Sequence, residues 1–344
     1  MAGSAYKPVV LVCGKTGAGK TSLIQAVTGT DVVPDSAIGE SGRPETRGFS
    51  VYETEVATFV DAEGMEPGRE TVDEYRKFLM GELVGRISSG ATDAIVTAVW
   101  YCIDGSGARV QSADKELVSA FGDKTVLVVT KCETMRKSQF ETMGKALASL
   151  MPDDRVIMVS SVTKAGLCKL VDRTHVLAVL NSPEAQKRTF EAEWNGYYAS
   201  RQRRWRTTCD EEADSYIRWG AGRSFAIALP CVVPLSDMIP LSINEAYMIM
   251  RIGSVYGETV GKNVIGMITG VAAGSFFGKF VATMLPPGFK SVVAASVTYG
   301  LGKAAKAYFS SGKKLSKNAL REEFLKAKKE GKSRKWKAIE AAEE

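Results

Sequence analysis

The sequence is poor in histidine and has no paired cysteines. One histidine, His175, occurs in 344 residues. Six cysteines (Cys13, Cys102, Cys132, Cys168, Cys209 and Cys231) are scattered, and none forms a Cys-x-x-Cys pair. A zinc site of the Cys/His type and a disulfide scaffold are thereby excluded. A reducing, cytoplasmic setting fits. A Ser-His or Cys-His nucleophile would have to use His175, and nothing near it supports that, so a packing or surface role is expected. The start of the sequence lacks a basic segment, an apolar run and a small-residue cleavage site, so no signal peptide is expected.

Hydrophobic residues make up 45% and charged residues 24%, the balance of a folded chain, and the length suggests about two domains. The net charge of +6 is unevenly spread. Lys313 to Lys337 holds eleven Lys/Arg against three Glu, a local +8, so the remainder carries −2. A nucleic-acid-binding surface over the whole fold is therefore not favoured.

Val9 to Cys13 is a short apolar run suited to a strand buried on both faces. It leads into Gly14-Lys15-Thr16-Gly17-Ala18-Gly19-Lys20-Thr21 and then the helix-like Ser22 to Thr28. This is the complete G-x-x-x-x-G-K-[ST] pattern between a strand and a helix. Its glycines let backbone N–H groups turn toward phosphate oxygens, and the helix N-terminus adds its dipole. Lys20 is expected to reach the β- and γ-phosphates and Thr21 to bind Mg²⁺. Further strands are expected at Val56 to Val60, Ala94 to Ile103, Thr125 to Val129 and Arg155 to Val159. Their C-terminal ends carry Asp61-Ala62-Glu63-Gly64, the loop Asp104 to Arg109, Thr130-Lys131-Cys132-Glu133 and Ser160-Ser161-Val162. Ligands bind at that edge of open α/β sheets. Pro34 to Tyr52 suits a mobile switch segment, and Met65 to Ser89 a helix with Val72, Tyr75, Phe78, Leu79 and Leu83 on its core face.

In order, these segments resemble the five guanine-nucleotide motifs of Era/TrmE-type GTPases over roughly residues 8 to 180. The spelling of the phosphate loop is similar to septins, GIMAPs and immunity-related GTPases. The resemblance implies an α/β P-loop GTPase (G) domain with a central, mostly parallel sheet, binding GTP or GDP with Mg²⁺. It assigns Gly14 to Ser22 (Gly14, Lys15, Thr16, Gly17, Ala18, Gly19, Lys20, Thr21, Ser22) to the phosphates. Thr46 matches the switch I threonine that binds Mg²⁺ and the γ-phosphate, and Asp61 and Gly64 match switch II. Thr130, Lys131 and Glu133 match the base-reading motif, and Ser161, between Ser160 and Val162, the residue whose backbone reads guanine O6. The expected catalytic set is Lys20, Thr46 and Gly64, and the expected metal set Thr21, Thr46 and Asp61.

The pattern departs from the family at three places. The base-reading motif usually ends in Asp, and Glu133 moves the carboxylate by about one bond length. Met65 stands where a water-orienting Gln would, and methionine cannot hold water by hydrogen bonding. Gly17 stands where potassium-activated relatives have Asn. Slow intrinsic turnover is expected unless a partner, a second copy, or one of Arg43, Arg47 and Arg109 supplies a group; otherwise each arginine is a solvated surface residue.

After residue 180 the sequence becomes helical. Residues 181–221 are expected as a linker or stalk, with Arg201, Arg203, Arg204 and Arg206 beside Trp194, Tyr197, Tyr198 and Trp205. An anionic lipid surface is a second reading of that stretch. Residues 222–310 are apolar and broken by prolines at Pro230, Pro234 and Pro240. Val264 to Gly278 has no charge over fifteen positions, and Gly266, Gly270, Gly274 and Gly278 recur every four residues as one helical ridge. Such a ridge admits close helix packing. With Ser291 to Leu301 it forms an expected helical hairpin over 264–302. A buried soluble hairpin, a peripheral or re-entrant insertion and a true span are all open readings. The stretch 222–310 is similar to an uncharacterised C-terminal domain of bacterial Era-like proteins and YcjF-type inner-membrane proteins, which implies membrane proximity. Residues 311–344 form a basic amphipathic helix, which binds anionic lipid or is a solubilising end.

Two functional classes follow. One is a GTP-hydrolysing switch whose helical half binds a membrane or a second copy in a nucleotide-dependent dimer or oligomer. The other is a non-catalytic or very slow GTP-binding protein that docks a protein partner.

Overall fold

Val9–Gly14 (β1) is buried along its whole length, and its branched apolar side chains place it at the middle of a sheet. The computed structural model describes residues 6–38, 48–66, 71–88, 96–107, 109–230, 236–272 and 287–339. Strand β1 pairs in parallel with Thr58–Ala62 (β3) on one side and Val96–Asp104 (β4) on the other. Thr125–Thr130 (β5) and Val156–Met158 (β6) continue the parallel set, and Phe49–Glu53 (β2) closes the other edge antiparallel to β3. The order is β2-β3-β1-β4-β5-β6. Asp104 pairs with Thr130, Gly14 with Cys102, and Val12 with Asp61. That register brings the C-terminal ends of four strands to one rim.

The helices of this unit are Lys20–Thr28 (α1), Val72–Ser88 (α2), Ser112–Phe121 (α3), Lys137–Ala148 (α4) and Leu167–Asn181 (α5). Two expectations change here. Strand β2 occupies the end of the segment read as a switch. Helix α2 starts at Val72 rather than Met65, because Thr71 and Glu74 form a capping box there.

The chain divides into Met1–Thr207 and Thr208–Glu344. The division falls within the helix Lys187–Ala228 (α6). Phe190, Trp194, Tyr198 and Trp205 are buried in the core of the first unit with Leu167, Leu170 and Val171. Those aromatics are therefore packing residues and not part of a lipid-facing band, and Arg203, Arg204 and Arg206 are exposed. Arg201 is committed as well: its guanidinium donates to the Thr28 carbonyl at 2.9 Å and lies 4.3 Å over the Tyr197 ring.

The second unit is helical: the end of α6, Met238–Val255 (α7), Lys262–Gly270 (α8), Pro287–Ser310 (α9) and Lys317–Ser333 (α10). Proline at the first position of α9 loses no helical hydrogen bond, and Ser316 caps α10 by accepting from the Ala319 amide. Only half of the expected ridge falls within the described residues. Nothing among the described residues approaches Gly266 or Gly270, which lie on the exposed face of α8, and Gly274 and Gly278 fall outside the described residues. Close approach occurs at Gly300, where an added Cβ would stand 2.9 Å from the Phe324 ring, and at Gly302, 2.8 Å from Ile217. The terminal helix accordingly buries Leu320, Phe324 and Ala327, so its apolar face is used within the unit. No described helix is long and apolar enough to cross a membrane.

His175, on α5, stacks 5.7 Å from Trp194 and 5.8 Å from Phe190. Burial holds its pKa below the usual value against the opposing pull of Glu191 and Asp172. The folded state therefore favours the neutral ring. As pH falls below about 6.5 the unfolded chain takes the proton first and stability drops. Denaturant unfolding at pH 7.5 and 5.5 is expected to show a loss that shrinks in His175→Gln; an equal loss in the variant places the sensitivity elsewhere.

Candidate nucleotide site

The turn between β1 and α1 is set by its glycines. Gly14 (φ 133°), Gly17 (φ 78°) and Gly19 (φ 74°) hold backbone angles that side chains disfavour. At Gly14 space also excludes a side chain, since a Cβ would lie 2.3 Å from the Cys102 carbonyl oxygen. This is how the loop passes close over β4.

Most of the loop's carbonyls have a donor. Lys20, 7% exposed, donates its Nζ to the Lys15 carbonyl at 3.2 Å and the Gly14 carbonyl at 3.4 Å. Lys131 Nζ donates to Gly17 O at 2.8 Å, and Thr130 Oγ1 donates to Ala18 O at 2.8 Å. The end of β5 and the residue after it are thus attached to the β1–α1 loop by two hydrogen bonds. Lys131 also pairs with Asp104 at 2.8 Å. Burial works to raise the Asp104 pKa, but hydrogen bonds from Lys131 and Ser106 prevail and hold it below the usual value.

The Thr21 hydroxyl donates to Asp61 Oδ2 at 2.6 Å, and Asp61 is fully buried at the end of β3. The next residues close on the loop. Thr16 Oγ1 donates to Gly64 O at 3.0 Å, Thr16 N donates to Met65 O, and Met65 N donates to Gly14 O, both at 3.2 Å. A Cβ on Gly64 would lie 2.5 Å from Thr16 N and Cα, so glycine is required for this contact. Met65 is buried, and its backbone forms a parallel bridge with Lys15.

Beyond β6, Ser160 is buried and its Oγ accepts from the amides of Val162 at 3.2 Å and Thr163 at 2.9 Å. This turn presents Ser161 and leaves Val162 77% exposed. Cys132 N donates to Val159 O at 3.1 Å, which joins this loop to the one carrying Glu133. Glu133 is half-buried in the short turn Cys132–Thr134. Ser22 is on α1, one residue past Thr21. Arg109 is exposed. Thr46, Arg43 and Arg47 lie outside the described residues.

Sequence reasoning missed three participants. Asp104 was placed only in a loop, although its position at the end of β4 is a signal. Tyr75 was assigned to the core; its hydroxyl donates to Glu63 O at 2.8 Å and sits 3.3 Å from Gly14 O. Asp114 gave no signal. It is buried and takes hydrogen bonds from Lys15 Nζ at 3.0 Å and Tyr101 OH at 2.8 Å.

No family model matches the chain. The chain is similar to GTPase Era of Sinorhizobium medicae (strain WSM419), 25% identical over 165 residues, 47% of this chain. It spans about half the length of that relative (50%). Among solved structures it is similar to a probable GTP-binding protein engB, at 18% identity over 49% of this chain and 98% of that one, with a TM-score of 0.36. It is also similar to the G domain of the T. maritima FeoB iron transporter, at 22% identity over 50% and 99%, with a TM-score of 0.32.

Gly14→Ala is expected to lower stability by about 1–3 kcal/mol from backbone strain alone. Thermal unfolding checks it, and an unchanged midpoint contradicts the close passage over β4.

Proposed function

We propose that the first unit binds GTP with Mg²⁺ and hydrolyses it slowly to GDP and phosphate, as a nucleotide switch. One observation carries this reading: the carbonyls of Gly14, Lys15, Gly17 and Ala18 all have donors, while the amides of Gly17, Gly19, Lys20 and Thr21 have no acceptor among the described residues. Amides so left at the start of α1 suit an anion. Lys20, now on two loop carbonyls, takes a phosphate oxygen as a stronger, charged acceptor. Thr21 and Asp61 are adjacent hard oxygen donors, which fits a Mg²⁺ ion. The ion supplies neutralisation of phosphate charge. We assign Glu133, next but one to Lys131, to accept from guanine N1 and N2, and the Ser161 backbone to read guanine O6.

The chemistry left to the protein is positioning and charge stabilisation. Gly64 and Met65 are joined to Thr16 and Gly14, so the switch II segment must leave these partners for the Gly64 amide to address a γ-phosphate. Met65 brings no hydrogen-bonding side chain for water, which supports slow turnover. The same feature favours the second reading, in which GTP is a slowly cleaved ligand of an interaction protein. In both readings the helical second unit carries the output, toward a membrane surface, a second copy or a protein partner.

Lys20→Ala is expected to weaken GTP binding by about 100-fold or more. Unchanged affinity by titration calorimetry overturns the site. Glu133→Ala is expected to weaken GTP about tenfold or more while leaving ATP unchanged; equal loss for both refutes its base-reading role. A hydrolysis rate that stays at zero at high protein concentration and with anionic vesicles favours the second reading.

A further inference from the structure

The last described residues of the second unit form a strap across α6. Ile339 N donates to the Gly222 carbonyl at 3.3 Å. Gly222 is what admits the strap: a Cβ there would stand 2.7 Å from the Ile339 side chain and 3.1 Å from Lys337 O. Trp336 fixes the strap's other end, donating its Nε1 to Gly331 O at 2.8 Å with its ring 5.6 Å from Tyr299. Between strap and helix lies a groove of about 350 Å³, whose rim carries Arg218, Arg334, Lys335 and Lys337 around Trp336.

These four cations are not equivalent. Arg334 is used within the fold, paired with Glu330 and lying 4.6 Å over the Tyr299 ring. Arg218, Lys335 and Lys337 are exposed and have no carboxylate partner among the described residues. Like charges gathered without a described counter-charge repel one another. These three line, with Trp336, a concave space whose strap is held by two hydrogen bonds to backbone carbonyls.

We propose that this groove is a binding site for a phosphate-bearing polyanion. Arg218 offers a planar fork that matches two phosphate oxygens, and Lys335 and Lys337 offer point charges on the facing side. The volume suits a headgroup or a small phosphoester and is too small for a macromolecule. The chemistry is the same whether the phosphate belongs to a lipid headgroup or to a free compound. The site lies wholly in the second unit and does not depend on the nucleotide reading.

The test uses the full chain carrying Lys20→Ala, so that the phosphate loop is silenced, titrated calorimetrically with inorganic pyrophosphate. Adding Arg218→Ser, Lys335→Ser and Lys337→Ser together is expected to weaken binding about tenfold or more. All three are exposed, so the fold is expected to stand, and circular dichroism checks it. Gly222→Leu keeps every cation but displaces the strap; it is expected to weaken binding as well. An affinity unmoved by the triple substitution, or unmoved by Gly222→Leu, overturns the built groove in favour of diffuse charge. Flotation with phosphatidylcholine vesicles, with and without phosphatidylglycerol, separates the sources. Flotation that needs both the anionic lipid and the three cations assigns a headgroup. Pyrophosphate binding without flotation assigns a free phosphoester. Failure of both overturns the proposal.

Discussion

Every buried carbonyl needs a donor. That constraint organises much of the rim of the first unit. The donors to the loop are Lys20 within it, Thr130 at the end of β5 and Lys131 just after β5. None of these can reach the loop unless the parallel register sets the strand ends side by side. Buried β1 is therefore more than core, because its pairing with β3 and β4 fixes where Asp61 and the neighbouring loops emerge. The lysine pairs share this economy: Lys131 serves a loop carbonyl and Asp104 at once.

The second unit solves a different problem. Its described residues form helices, which approach each other through small residues. Gly300 and Gly302 admit Phe324, Ile217 and Met248. Several polar groups trapped in the process find partners. Lys290 meets Asp237 at 3.2 Å with both side chains buried, and Asn244 donates to Gly220 O and to Ser224 Oγ at 2.8 Å each. Removing one member of such a pair costs more than the pair contributes, because the other remains buried.

Much of the first unit was legible because its signals are local. The glycine spacing, the lysine after it and the apolar strand before it all lie within a short stretch. The strands after it were placed to within a few residues by their apolar runs. Strand β2 was not, because this edge strand alternates half-buried (Ser50, Tyr52) and exposed (Val51, Glu53) residues and has no apolar run to detect. Asp114 and Tyr75 were invisible as site residues because their partners are distant in sequence. The aromatics of α6 were visible, but not the surface they cover. Of the four-residue glycine repeat, Gly266 and Gly270 lie on an exposed face: periodicity shows which residues share a face, not whether a neighbour lies against it. Gly300 and Gly302, which carry no such repeat, are in tight contact.

Helix α1 begins at Lys20 and ends at Thr28, and both ends are occupied. The first residue holds the phosphate loop; the last lends its carbonyl to Arg201. A helix of nine residues is about 13 Å long, too short to bend appreciably between its ends. The helix is therefore a strut. An axial displacement of a fraction of an ångström at the loop reaches the Arg201 guanidinium almost undiminished, through one piece of rigid backbone and one charge-assisted bond.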